Sequence, residues 1–126
     1  PYVMAAYNVF AADSQEEATL LASSMQQAFV RLRTGQPGKL QPPVPDYLAS
    51  LPMQARAMLA DVMSVSSIGT RQDVERDLAA FLDRTQADEI ILTGQIHDPD
   101  ARKHSFAIAM AAAQAITARA PEPVDP

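Results

Sequence analysis

The sequence predicts an α/β fold built on a parallel sheet, and three observations carry that expectation. Residues 2–12 (YVMAAYNVFAA) are apolar at nearly every position, with only Asn8 interrupting. A second apolar run, ADEIILTGQI at 87–96, repeats the pattern around Ile90–Leu92. Each run leads directly into a stretch that opens with a helix-start signal. The first run lacks the strict alternation of a strand with one wet face. Both read as strands buried on both faces, as in a parallel sheet. Strand followed by helix, then strand followed by helix, is the signature of α/β architecture.

Taken in order, the first run is followed by Ser14 and Glu17 at capping-box spacing, with carboxylates in the positive first turn. The helix they open places Ala18, Leu21, Ala22, Met25, Phe29 and Leu32 on one apolar stripe, and Gly35 is a natural stop. Residues 35–52 carry five of the ten prolines, which removes backbone donors and makes this a loop rather than an element. Long loops of this kind are either lids over a site or disordered connections. A short amphipathic helix is expected over 53–62. Residues 64–70 (SVSSIGT) predict a short strand ending in a turn. Thr70 then caps a second clear helix, with Asp73 three residues on and Val74, Leu78, Phe81 and Leu82 facing inward. After the second apolar run, Asp98-Pro99 supplies an N-cap and an N1 proline for a helix over 99–118. The tail APEPVDP, residues 120–126, is expected to be disordered.

Two secure strands and a third short one are too few to bury both faces of a sheet in a self-sufficient domain. The 126 residues are roughly half of the ~250 that a complete (β/α)8 barrel needs. The chain also opens at Pro1 without an initiator Met and runs straight into an apolar segment, which reads as a start inside a fold.

Composition excludes several functions. The net charge of −5 and scattered Arg31, Arg33, Arg71, Arg76, Arg84, Arg102 and Lys103 argue against a nucleic-acid partner, which needs clustered bases. With no cysteine there is no disulfide, thiolate metal site or cysteine nucleophile. Residues 107–116 are too short and alanine-rich for the ~20-residue span of a membrane helix, so no membrane partner is expected. Glu16-Glu17 and Asp88-Glu89 invite a metal reading, but adjacent carboxylates point to different faces and no histidine lies at ligand spacing. No metal is expected.

Two stretches carry a family resemblance: YVMAAYNVFAADSQEEATLLASSMQQAFVRLRTGQPGKL at 2–40, and SSIGTRQDVERDLAAFLDRTQADEIILTGQIHD at 66–98. In this order they resemble the C-terminal portion of luciferase-like, flavin-dependent monooxygenases, over about residues 2–113. In that family a strand leads through an "AADSQEEA" segment into a helix and a Pro-rich loop. An "IGT-x-x-D/E-V" turn then opens a helix before a strand of the "ADEIIL" kind. The resemblance implies a partial (β/α)8 TIM barrel over residues 1–119, namely its last two or three strands with their helices. It implies reduced FMN, molecular oxygen and a small organic or aldehyde-like substrate, with a flavin reductase as a partner and a cytoplasmic location. The family's main phosphate-binding loop, most flavin contacts and catalytic histidine lie upstream of such a segment. No catalytic residue is therefore assigned here, and the isolated chain is expected to be inactive.

Barrel chemistry occurs at the C-terminal ends of strands, which singles out Gly94, Gln95, Ile96 and His97. A neutral His97 can donate to a flavin or substrate oxygen near neutral pH, or it is a plain loop residue before the Asp98 cap. The resemblance implies that the first helix contributes side chains toward the flavin ring or its access channel. Gln26 and Gln27 are the residues there that can hydrogen-bond, although paired glutamines on a wet helix face are the ordinary case. Ser64, Ser66 and Ser67 precede a helix N-terminus where backbone donors can hold an anion. The cofactor-binding candidates are therefore Gln26, Gln27, Ser67, Gln95 and His97, and the loop 35–52 is the candidate lid. Uncovered faces and edges should make such a chain associate with a missing N-terminal barrel half, or form a homo-oligomer. The competing expectation is a stand-alone, non-catalytic α/β binding or dimerisation module.

Overall fold

A computed structural model describes residues 1–119. Among the described residues the chain runs β1 (Met4–Ala11), α1 (Gln15–Arg33), a 3-10 turn (Leu48–Ser50), α2 (Met53–Val62), β2 (Ser66–Gly69), α3 (Arg71–Thr85), β3 (Glu89–Thr93) and α4 (Pro99–Arg119). The expected tail at 120–126 lies outside the described residues.

The strands form one parallel sheet in the order β2-β1-β3. β1 pairs with β3 through its first half, Met4 opposite Glu89 to Asn8 opposite Thr93. It pairs with β2 through its second half, Asn8 opposite Ser66 to Ala11 opposite Gly69. Consecutive strands of a (β/α)8 barrel lie side by side in chain order, so the three strands here cannot all be consecutive barrel strands. β1 and β3 are adjacent as such a pair would be, and β2 sits on the opposite edge.

One face of the sheet is covered by α3 and α4. Tyr7, Val9 and Ala11 pack with Val74, Leu78 and Phe81 of α3 and with Ala109 and Ala112 of α4. The Tyr7 and Phe81 rings meet at 4.6 Å between centroids, and the Arg84 guanidinium lies 5.6 Å from the Phe81 ring centre. Burial pushes the Tyr7 phenol up to about 12, with the Asp77 charge adding to the shift and Arg84 opposing it. The helix faces expected from spacing are those used here: Val74, Leu78 and Phe81 are buried and Leu82 is half-buried.

The other face is covered only at its carboxyl end. There Phe10 and Ala12 pack against Ala18, Leu21, Ala22 and Met25 of α1, with Met63 and Ile96 closing the cluster. Below Phe10 the face is open. Met4 is 55% and Ile91 49% exposed, and Ala6 and Glu89 are exposed as well. The expectation that both apolar runs are buried on both faces is therefore corrected. It holds for the last residues of β1 and fails for its start and for β3, because no element among the described residues covers that half of the sheet. Leu32 also leaves the α1 stripe for solvent, since the packed cluster ends with Phe29.

The helix ends follow local chemistry. Ser14 accepts the Glu17 N–H at 3.1 Å, the Thr70 N–H and hydroxyl both donate to Asp73 Oδ2 at 2.9 and 3.0 Å, and Asp98 accepts the Ala101 N–H at 3.0 Å. Residues 36–47 hold neither helix nor strand. No helix of the described residues is long and apolar enough to cross a membrane.

Candidate functional site

The carboxyl end of the sheet is where β1, β2 and β3 hand over to α1, α3 and α4. Past its last pairing with β3, the Ala11 N–H donates to the buried Ser105 Oγ at 2.9 Å, so α4 completes the strand's hydrogen bonding. His104, one residue earlier on α4, lies 2.8 Å from the Asp13 carboxylate through Nε2. Arg102 donates to the Ile96 carbonyl at 3.1 Å and pins the turn after β3. Gly94 belongs to that turn: a Cβ there would run into the Val9 carbonyl oxygen, so the close approach of the two backbones requires glycine.

The expected site residues are placed apart. Gln95 and His97 are exposed on the β3–α4 turn, with Ile96 buried between them. Ser67, 1% exposed, faces α3 and donates to Asp77 Oδ2 at 2.7 Å. The N-terminus of α3 is taken by the Asp73 carboxylate, a resident anion. The Thr70 backbone and hydroxyl hydrogen bonds hold that carboxyl below the usual range, with smaller help from Arg76. Arg71 pairs with Glu75 at 3.3 Å, and Arg76 with Asp73 at 3.3 Å and Asp77 at 3.2 Å.

Gln26 and Gln27 part company although they are neighbours on α1. The Gln27 amide donates to the Pro42 carbonyl at 2.9 Å. Ser23 Oγ accepts the Val44 N–H at 2.9 Å, and Arg31 donates to the Gln36 carbonyl at 3.2 Å. These three bonds fasten the Pro-rich segment along α1. Gln26 instead is 4% exposed and lines a cavity of about 650 Å³ between α1 and residues 44–49. A second cavity, about 620 Å³, lies between α3 and α4 and is lined mostly by apolar side chains such as Leu82, Phe106 and Met110. Neither cavity takes in two of the five expected residues. Sequence reading missed the acidic rim of the first cavity, Glu16, Glu17 and Asp46. Glu16 and Glu17 register as helix-start residues and as a metal reading that is set aside, and nothing in the sequence says that residues 44–49 fold back over them.

A parallel sheet with helices packed on one face and an uncovered strip on the other is a piece of an α/β fold. No protein-family model matches the chain. Over 110 residues, 87% of its length, it is 42% identical to a luciferase-like monooxygenase of Escherichia coli strain K12, of which it spans 33%. Over 108 residues it is 35% identical to the uncharacterized protein YvbT of Bacillus subtilis, spanning 32% of that protein. The crystal structure of apo-MsnO8 overlays on 90% of the chain with a TM-score of 0.67 and 21% identity, using 35% of that protein, and this likeness is one of fold. The chain thus spans about a third of the curated relatives it matches. The resemblance to a C-terminal segment of a luciferase-like monooxygenase stands.

Proposed function

We propose that the chain is the closing segment of a flavin-dependent monooxygenase that uses reduced FMN and molecular oxygen to oxygenate a small organic or aldehyde-like molecule. The 42% identity to the E. coli luciferase-like monooxygenase over 110 residues carries this reading. The open sheet face agrees with it. In a (β/α)8 barrel the inward side chains pack in layers against those of other strands. Met4 beside Glu89, Ala6 beside Ile91 and Asn8 beside Thr93 share the uncovered face in register, as barrel-interior layers would. Thr93 Oγ1 donates to Asn8 Oδ1 at 2.9 Å, which satisfies the polar pair between β1 and β3 on that face. On this reading β1 and β3 are neighbouring barrel strands, β2 is an added short strand, α3 and α4 lie outside, and α1 with the loop 35–52 borders the mouth.

The residues present do not fit reduced FMN as a complete site. Its phosphate needs free N–H donors or cations. Asp73 occupies the N-terminus of α3, and Arg71 and Arg76 are already paired. Gln27 and Ser67 are committed to bonds within the chain. Of the expected contacts, exposed Gln95 and His97 and cavity-lining Gln26 remain free to meet a ligand. The chain's role is then structural, to wall the site and keep water from it, with a flavin reductase supplying reduced FMN in the cytoplasm. A stand-alone module would cover the same strip with a second copy.

The test compares the whole protein with the 126-residue chain. Reduced FMN is titrated anaerobically and followed by flavin fluorescence, and oxygen uptake is then recorded with a series of aldehydes. The whole protein is expected to bind reduced FMN and to consume oxygen in a substrate-dependent way, and the short chain to do neither. Tight flavin binding by the short chain, or a whole protein indifferent to reduced flavin, would overturn the proposal.

A further inference from the structure

Three positions fix the turn that joins β3 to α4, and they alternate along the chain. A Cβ on Gly94 would meet the Val9 carbonyl oxygen, so the turn begins pressed against β1. The Ile96 side chain is 1% exposed and packs in the cluster of Phe10 and Met25, while its carbonyl accepts from Arg102 Nη1 at 3.1 Å. Asp98 accepts the Ala101 N–H on its carboxylate at 3.0 Å and the Arg102 N–H on its carbonyl at 2.9 Å. His97 lies between the last two anchors. It is exposed, and its ring makes no hydrogen bond within the described residues.

Of these anchors, the Arg102 side chain is the one that folding needs least. The close approach at Gly94 and the burial of Ile96 already set the path of the backbone, and Asp98 caps the helix by itself. Arg102 makes no ion pair among the described residues, so its bond is the one to the Ile96 carbonyl. A charged donor holds an acceptor more strongly than a neutral one does. The oxygen it holds belongs to the Ile96–His97 peptide, and a peptide is planar. Holding that oxygen therefore sets the plane of the peptide and the direction in which His97 leaves the backbone. The turn lies at the carboxyl end of a parallel strand, where (β/α)8 barrels place the residues that meet a substrate. A side chain meets a ligand best when the backbone beneath it is held by packing and hydrogen bonds.

We propose that Arg102 is a positioning residue: by holding the Ile96–His97 peptide it directs the His97 ring toward the small organic substrate of the whole protein. The ring N–H donates to a carbonyl or hydroxyl oxygen of that substrate. His97 touches the substrate, and Arg102 acts through it. This role rests on the monooxygenase reading and adds to it a contact and the device that sets the contact.

The test uses the whole protein, with oxygen uptake recorded in the presence of reduced FMN and a series of aldehydes. Arg102→Met removes the donors and keeps the apolar stem. It is expected to raise KM for the aldehyde about tenfold, with kcat within about threefold of wild type and the urea midpoint unchanged, because a misplaced binding contact shows in KM. Arg102→Lys restores a cationic donor and is expected to recover most of the loss. In a His97→Ala background, Arg102→Met should change KM by no more than about twofold, since residues that act through one another are not additive. Apart from turnover, NMR relaxation of the His97 amide should report a more mobile turn in Arg102→Met. Should Arg102→Met fail to fold, Arg102→Gln takes its place with the same expected rise. An unchanged KM, an equally rigid turn, or a full rise that persists without the His97 ring would overturn the positioning role and leave the monooxygenase reading standing. A wild type that consumes no oxygen with any aldehyde would overturn both.

Discussion

Gly94 shows how a single residue can fix the geometry of the sheet's carboxyl end. Its lack of a side chain lets the turn after β3 lie against the Val9 carbonyl. Gly94→Ala is expected to destabilise the protein by about 1–3 kcal/mol through forced backbone displacement, as measured by urea unfolding. Asp73 makes a second residue-level case, because its carboxyl is held below the usual range chiefly by the Thr70 N–H and hydroxyl. A depressed carboxylate stabilises the fold at pH values above its unfolded value of about 4. That contribution is lost as pH falls through the lower folded value. Melting temperatures of wild type and Asp73→Asn should therefore differ at pH 7 and converge below about pH 4, whereas a gap that persists in acid would mean the hydrogen bonds do not depend on the charge. The Thr70–Asp73 spacing was legible in the sequence because capping is local. The place of Gln26 in a cavity wall was not, since residues 44–49, which close that cavity, are remote from it in sequence.

At the scale of elements, spacing did well where a helix packs on what precedes or follows it. The helix over residues 53–62, the α3 face and the start of α4 are where periodicity and caps put them. Strand order was beyond reach, because nothing in a four-residue strand such as Ser66–Gly69 states which edge of β1 it will join. The Pro-rich loop likewise read as lid or disordered connection, and only the structure supplies the three bonds that α1 side chains make to it. Gln27 holds that loop at Pro42. Gln27→Leu should leave α1 intact and free residues 36–47, so limited proteolysis is expected to cut there sooner than in wild type. Cleavage rates that match wild type would assign the hold on the loop to Ser23 and Arg31 instead.

For the whole molecule, the decisive feature is the half of one sheet face that no described residue covers. The sequence stated it indirectly: an apolar run without alternation asks for cover on both sides, and residues 1–119 provide it on one. Ile91, at 49% exposure, is the sharpest probe of what belongs there. In the 126-residue chain a half-exposed Ile91→Arg should change stability by no more than about 0.5 kcal/mol. It should also reduce self-association, because a charge interrupts the apolar strip. In the whole protein the barrel reading buries the same residue among inward side chains, and an unpaired charge there costs about 3–5 kcal/mol. The two effects have opposite practical signs, a more soluble short chain and a whole protein that loses much of its stability. Parallel thermal melts and sedimentation of both lengths separate the possibilities. If Ile91→Arg leaves the melting of the whole protein untouched, the strip faces solvent there too and the barrel placement of β1 and β3 fails. If it disrupts only a dimer of the short chain and no longer form behaves differently, the strip is a surface for a second copy, and the module reading gains what the barrel reading loses.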